Sequence, residues 1–161
     1  MLFLDDLFDM IPEICRFPPI RRFLRRIVAL ASQQNDIFTG APLVKISHPD
    51  RISLGKDVHI YNTSSSHFLG NGEITIGEGT YIGPNVGLIT QNHDLQDLSN
   101  FLPAKGIVIG DCCWLGMNVV ILPGVVLGNH TIVGAGSVVT HNFPEGHCLI
   151  TGNPAKMIKR L

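Results

Sequence analysis

Aliphatic residues that recur every six positions, a glycine directly after most of them, and a fifty-residue stretch with two formal charges predict an all-β chain. It should be wound as a parallel β-helix, with a short helical segment ahead of it and one loop extruded from it. Counting by sixes from Ile76 gives Ile76, Ile82 and Leu88; counting again from Ile109 gives Ile109, Leu115, Ile121, Leu127, Val133 and Val139. In six of these nine units the next residue is glycine: Gly77, Gly83, Gly110, Gly116, Gly128 and Gly134. Four places after the aliphatic residue stands a small or β-branched one, as at Thr80, Val86, Cys113, Val119, Val125, Thr131 and Ser137. A helix repeats at about 3.6 residues and a strand at about 2, so a period of six fits neither alone. It fits short strands joined by bends where glycine tolerates a positive φ. Three hexads close a triangular coil, and stacked coils point the aliphatic residues into its axis.

The elements follow in order. Residues 1–40 form a helical cap: Ile20, Phe23, Leu24, Ile27, Val28 and Ala31 recur at helical spacing, with Arg21, Arg22, Arg25 and Arg26 on the other side. An amphipathic helix here would cover the exposed edge of the first coil. Its four arginines also admit a weak membrane-surface contact through residues 20–31, the less favoured reading. Residues 41–143 form the β-helix, in which Leu54-Gly55 and Ile60 mark an early, weaker coil. From Leu88 to Ile109 the register breaks, and the polar stretch 90–106, TQNHDLQDLSNFLPAKG, is read as a loop leaving one corner. Loops held on a rigid scaffold are where chemistry is usually placed. Pro144 ends the hexads, and residues 144–161 form a tail carrying Lys156, Lys159 and Arg160.

Composition narrows the function. The chain has 161 residues, one domain's worth, and 12 basic against 13 acidic residues. A net charge of −1 leaves no footprint for gripping nucleic acid. No apolar run reaches the ~20 residues that span a bilayer, and the opening MLFLDDLFDM has no basic residue and so is not a signal peptide. A cytoplasmic address is expected. The four cysteines, Cys15, Cys112, Cys113 and Cys148, lack zinc-knuckle spacing and are expected as reduced thiols. Between Gly106 and Ala155 there is no Lys or Arg, and Asp111 and Glu145 are the only acids. Such a stretch is either buried in its own fold or faces partner chains, so association of copies is expected.

The hexads, the segment IVIGDCCWLGMNVVILPGVVLGNHTIVGAGSVVT and the ending GNPAKMIKR resemble the hexapeptide-repeat acyltransferases, in particular the galactoside, maltose and polysaccharide O-acetyltransferases. The resemblance covers about residues 52–161. It implies a left-handed parallel β-helix, a trimer, and acetyl-coenzyme A lying between neighbouring subunits, with no metal. Residue by residue, it implies that His93 is the catalytic histidine and that the Met117 backbone N–H faces the thioester carbonyl. Trp114 would wall the acceptor site, flanked by Asn92 and Asp94. Gly116, Ala135, Gly136, Thr140, His141, Lys156 and Lys159 would bind the cofactor. The family commonly has Lys where this chain has His141. Its acceptor contacts fall upstream, in the region Asn62 to Ser66.

The residue types suit that chemistry. Acetyl transfer to a hydroxyl needs a base near neutral pH, a donor for the oxyanion, and a proton for the leaving thiol. An imidazole does the first and last in one turnover, and a backbone N–H on a rigid coil does the second. His93 should have Nδ1 held by a backbone carbonyl or by Asp94 or Asp97, leaving Nε2 free. His59, His67, His130 and His147 read as surface or core residues. Three alternatives compete. A zinc β-helix enzyme of the γ-carbonic-anhydrase kind needs three converging histidines, and His93 has no nearby partner. A non-catalytic hexapeptide scaffold has no use for His93 and Trp114. A serine acetyltransferase carries a much longer helical N-terminal domain. The expected function is therefore acetyl-CoA-dependent O-acetylation of a sugar or polysaccharide.

Overall fold

The computed structural model describes residues 45–61 and 66–161. The expected helical cap, its helix at 20–31 and the stretch 62–65 lie outside the described residues. The first coil comprises β1 (Lys45–Ile46), a 3-10 turn at Pro49–Arg51, β2 (Ile52–Leu54) and β3 (His59–Ile60). The second holds β4 (His67–Leu69), β5 (Ile74–Ile76) and β6 (Tyr81–Ile82). The third holds β7 (Gly87–Ile89), β8 (Ile107–Ile109) and β9 (Trp114–Leu115). The fourth holds β10 (Val120–Ile121), β11 (Val126–Leu127) and β12 (Thr131–Val133). β13 (Val138–Val139), β14 (Cys148–Gly152) and β15 (Ala155–Arg160) complete the chain.

Every third strand stacks on the one before, all in parallel except at the end. Sheet I runs β1-β4-β7-β10-β13, sheet II β2-β5-β8-β11, and sheet III β3-β6-β9-β12-β14-β15. This is the left-handed parallel β-helix, about five coils tall. The hexad arithmetic is visible in the register. Ile109 pairs with Leu127, Leu115 with Val133, and Ile121 with Val139, each three hexads apart. Ile76 instead pairs with Ile109 and Ile82 with Leu115, because the loop intervenes.

All nine aliphatic hexad residues are buried, and so are the seven at the fourth place after them. Burial of one such Leu or Ile stabilises the fold by roughly 1.5–3 kcal/mol. The buried hydroxyls at the fourth place each find partners. Thr80 Oγ1 donates to the Gly110 carbonyl at 2.9 Å and accepts from the Cys113 N–H at 3.1 Å. Thr131 donates to the Gly128 carbonyl, and Ser137 to that of Gly134. Cys113 and Cys148 pack as small hydrophobes, whereas Cys112 is exposed. Burial pushes the Cys113 thiol up from its ordinary value.

Two boundaries differ from the hexad count. Thr90, the first residue of the expected loop, is fully buried. Its hydroxyl bonds the Leu69 carbonyl at 3.0 Å, and its own carbonyl receives the Lys105 N–H at 2.8 Å, so it clamps both ends of the loop to the coil. At the other end, β14 stacks in register on β12, Thr131 against Cys148, and adds a rung beyond Pro144. Then β15 folds back antiparallel on β14.

Candidate active site

The loop leaves the corner between sheets I and II and is built around its own polar groups. Leu102 N–H bonds the Asn92 carbonyl and Asp94 N–H bonds the Asn100 carbonyl, which pairs the two arms. Asp97 closes the tip, accepting from Ser99 N–H at 3.0 Å, Ser99 Oγ at 2.7 Å and Asn100 Nδ2 at 2.8 Å. The Ser99 hydroxyl, then the Ser99 N–H, holds the Asp97 carboxyl below the ordinary carboxylate range. Asp94 Oδ1 accepts from Gln96 N–H, a local turn contact. A polar ladder fastens the loop to the corner below: Arg51 donates to the Asn71 carbonyl, Asn71 to Gln91, and Gln91 to the Leu102 carbonyl.

His93 sits within this frame. Its Nδ1 lies 2.7 Å from the Leu98 carbonyl, so Nδ1 carries the proton and donates it. Phe101 packs on the imidazole with ring centroids 4.3 Å apart. Two contacts thus set the ring's orientation, and in the neutral imidazole they put the lone pair on Nε2. Neither Asp94 nor Asp97 is the partner; the carbonyl is.

The corner between sheets III and I carries the second group. Trp114 and Met117 line a cleft of about 490 Å³ with Tyr61, Tyr81, Gly83 and Pro84. The Met117 N–H has no hydrogen-bond partner among the described residues, while its carbonyl accepts from Gly136 N–H at 2.8 Å. Pro84 holds the equivalent place one coil below, after Gly83 as Met117 follows Gly116. Ala135 holds it one coil above, and its N–H is likewise unpartnered among the described residues. Gly116 is needed for close stacking: a Cβ there would stand 2.7 Å from Ala135 N. Beside Gly136, whose φ is +71°, the space is open.

The expected site residues therefore separate. Gly116, Met117, Ala135 and Gly136 share the III/I corner, with Trp114 beside them on sheet III. Lys156 and Lys159 lie exposed on β15 at the top of sheet III, paired with Thr151 and Leu149. His93, Asn92 and Asp94 lie on the I/II corner. So do Thr140 and His141, exposed and joined at 2.6 Å between Oγ1 and Nδ1. No hydrogen bond or ring contact among the described residues joins the loop to Trp114 or Met117. Sequence reasoning missed Tyr61 and Tyr81. Tyr81 was findable, because it precedes Ile82 in its hexad as Trp114 precedes Leu115. Among the described residues no three His, Cys, Asp or Glu side chains converge as a metal site would require. Nor is any helix of the described residues long and apolar enough to cross a membrane.

Residues 106–141 match the family model described as bacterial transferase hexapeptide (six repeats). The chain is 35% identical over 139 residues to a protein of Escherichia coli strain K12 named as a putative colanic acid biosynthesis acetyltransferase, covering 86% of this chain and 74% of that one. A protein of Schizosaccharomyces pombe named as a putative acetyltransferase is 35% identical over 163 residues, covering 95% and 76%. Among solved structures, a hexapeptide-repeat acetyltransferase of Vibrio cholerae complexed with acetyl-coenzyme A is 32% identical with a TM-score of 0.69, covering 75% of this chain and 66% of that one. A galactoside acetyltransferase in complex with coenzyme A is 28% identical with a TM-score of 0.66, covering 74% and 60%. The chain thus spans about three quarters of these curated relatives and about two thirds or less of these solved chains.

Proposed function

The chain belongs to the hexapeptide-repeat acetyltransferases, and from that premise we propose that it transfers an acetyl group from acetyl-CoA to a hydroxyl of a sugar or polysaccharide, with His93 as general base. One observation carries the reading: the Leu98 carbonyl fixes the protonated Nδ1, so Nε2 is free to accept a proton. The sugar acceptor draws on relatives named for colanic acid biosynthesis and galactoside acetylation.

Acetyl-CoA supplies an acyl group already activated as a thioester, so no covalent intermediate on the protein is needed. Nε2 of His93 takes the acceptor hydroxyl's proton as its oxygen forms the new ester bond to the acyl carbon. The free Met117 N–H donates to the oxyanion that develops there. When the carbon–sulfur bond breaks, the imidazolium returns its proton to the departing thiolate. Ala135 N–H and the open side of Gly136 suit the pantetheine arm, and Lys156 and Lys159 suit its phosphates. Thr140 and His141 flank the cofactor from a different corner.

His93 and Met117 occupy different corners of one prism, so the site is completed between copies, in a homotrimer. Leu95, Leu98 and Phe101 on the loop are exposed apolar groups that a neighbouring copy would cover. The test is an acceptor panel of mono- and oligosaccharides with acetyl-CoA, following released thiol. Thiol release should require a sugar and should fail with His93→Ala. Release that proceeds equally well with the variant would overturn the histidine mechanism, and an acetylated amine in place of a sugar ester would overturn the acceptor class.

A further inference from the structure

The outer face of sheet III presents one column of rings. His59 pairs with Tyr81 and Tyr81 with Trp114, in register on three successive strands. Neighbouring strands lie about 4.8 Å apart, so the column extends about 10 Å down the helix axis from the proposed reaction centre. Tyr81 is 43% exposed and Trp114 54%, which is high for rings of this size. The His59 imidazole lies nearly parallel to the Tyr81 ring, centroids 4.7 Å apart and planes 21° apart, which holds the phenol in place. Tyr61 and Pro84 extend the same cleft, and its lining among the described residues has no Lys, Arg, Asp or Glu.

We propose that Tyr81, backed by His59, forms a second sugar subsite beside Trp114, so that the acceptor is a neutral glycan chain of at least two residues and not a single sugar. The proposal rests on the sugar-acceptor reading above and goes beyond it. Flat rings with a polar tip match a pyranose, which offers an apolar C–H face and a rim of hydroxyls. The uncharged lining suits a neutral chain. A nucleotide-linked sugar would bring phosphates that no lining cation among the described residues answers. Because the three rings line up in register across the strands, the glycan runs along the helix axis and places its acetylated residue at Trp114 and Met117. Tyr81 is a specificity determinant in this account and His59 a positioning residue.

The experiment compares KM for methyl glycosides and for the corresponding neutral homo-tetrasaccharides, using wild type, Tyr81→Ala, Tyr81→Phe and His59→Ala. Wild type should show the lower KM on a tetrasaccharide. Tyr81→Ala should raise the tetrasaccharide KM by about tenfold, several times more than it raises the glycoside KM. Tyr81→Phe, which keeps the ring, should retain most of the tetrasaccharide preference. His59→Ala should lose part of it without lowering kcat. Equal effects of Tyr81→Ala on both acceptors, or on neither, would overturn the subsite while leaving sugar acetylation intact. A variant that dissociates but keeps the wild-type KM ratio would make the column a subunit contact instead. If wild type acetylates no sugar, the acceptor reading fails and the subsite fails with it.

Discussion

His93 is one of seven histidines, and what distinguishes it is its surroundings. The Leu98 carbonyl and the Phe101 ring fix one tautomer and one orientation. General-base catalysis contributes about 10²–10⁴-fold, so His93→Ala should lower kcat by that factor while acetyl-CoA affinity barely moves. Asp97 supports the same loop at one remove. Its carboxyl is held below the ordinary range by Ser99, so its ties are complete above the usual carboxylate value and are lost as pH falls through the depressed one. Asp97→Ala should mimic that loss at neutral pH, lowering kcat by about tenfold with little change in the KM for acetyl-CoA.

At the scale of the coil, packing was legible in the sequence and the surface was not. Every hexad aliphatic from Ile76 to Val139 is buried, because a period of six is a backbone property that inward residues must obey. The ladder Arg51–Asn71–Gln91 was hidden, because it joins corners twenty residues apart through side chains that follow no repeat. The separation of His93 from Met117 was hidden too. It depends on which sheet each hexad joins, and the inserted loop obscures that count. Gly116 tests the stacking directly: a Cβ there crowds Ala135 N and the Val133 carbonyl at 2.7 and 2.9 Å. Gly116→Ala should cost about 1–3 kcal/mol, read as a lowered Tm, and should lower activity by displacing Met117. The β14–β15 hairpin makes a different prediction. Replacing Lys156 and Lys159 with Ala should raise the KM for acetyl-CoA by about tenfold and leave the acceptor KM nearly unchanged, since phosphate contacts made equally in ground and transition states alter binding alone.

The coils form a prism whose two proposed reactive groups lie on different corners, and a cyclic trimer would bring unlike corners together at every interface. Complementation tests this. Met117→Pro deletes the proposed oxyanion donor at a place where the coil below already accepts Pro84 after a glycine. Loss of one such donor costs about 10²–10³ in kcat. His93→Ala and Met117→Pro should each be folded and nearly inactive. Mixed trimers should recover one intact site where a Met117→Pro subunit lends its His93 to a His93→Ala neighbour. Random equal mixing in a cyclic trimer makes about a quarter of all sites intact. The measurement is therefore the activity of the two variants unfolded together and refolded as an equal mixture. Recovery of about a quarter of the wild-type rate is the result predicted for a site shared between copies; a mixture no more active than its separate parents would contradict it.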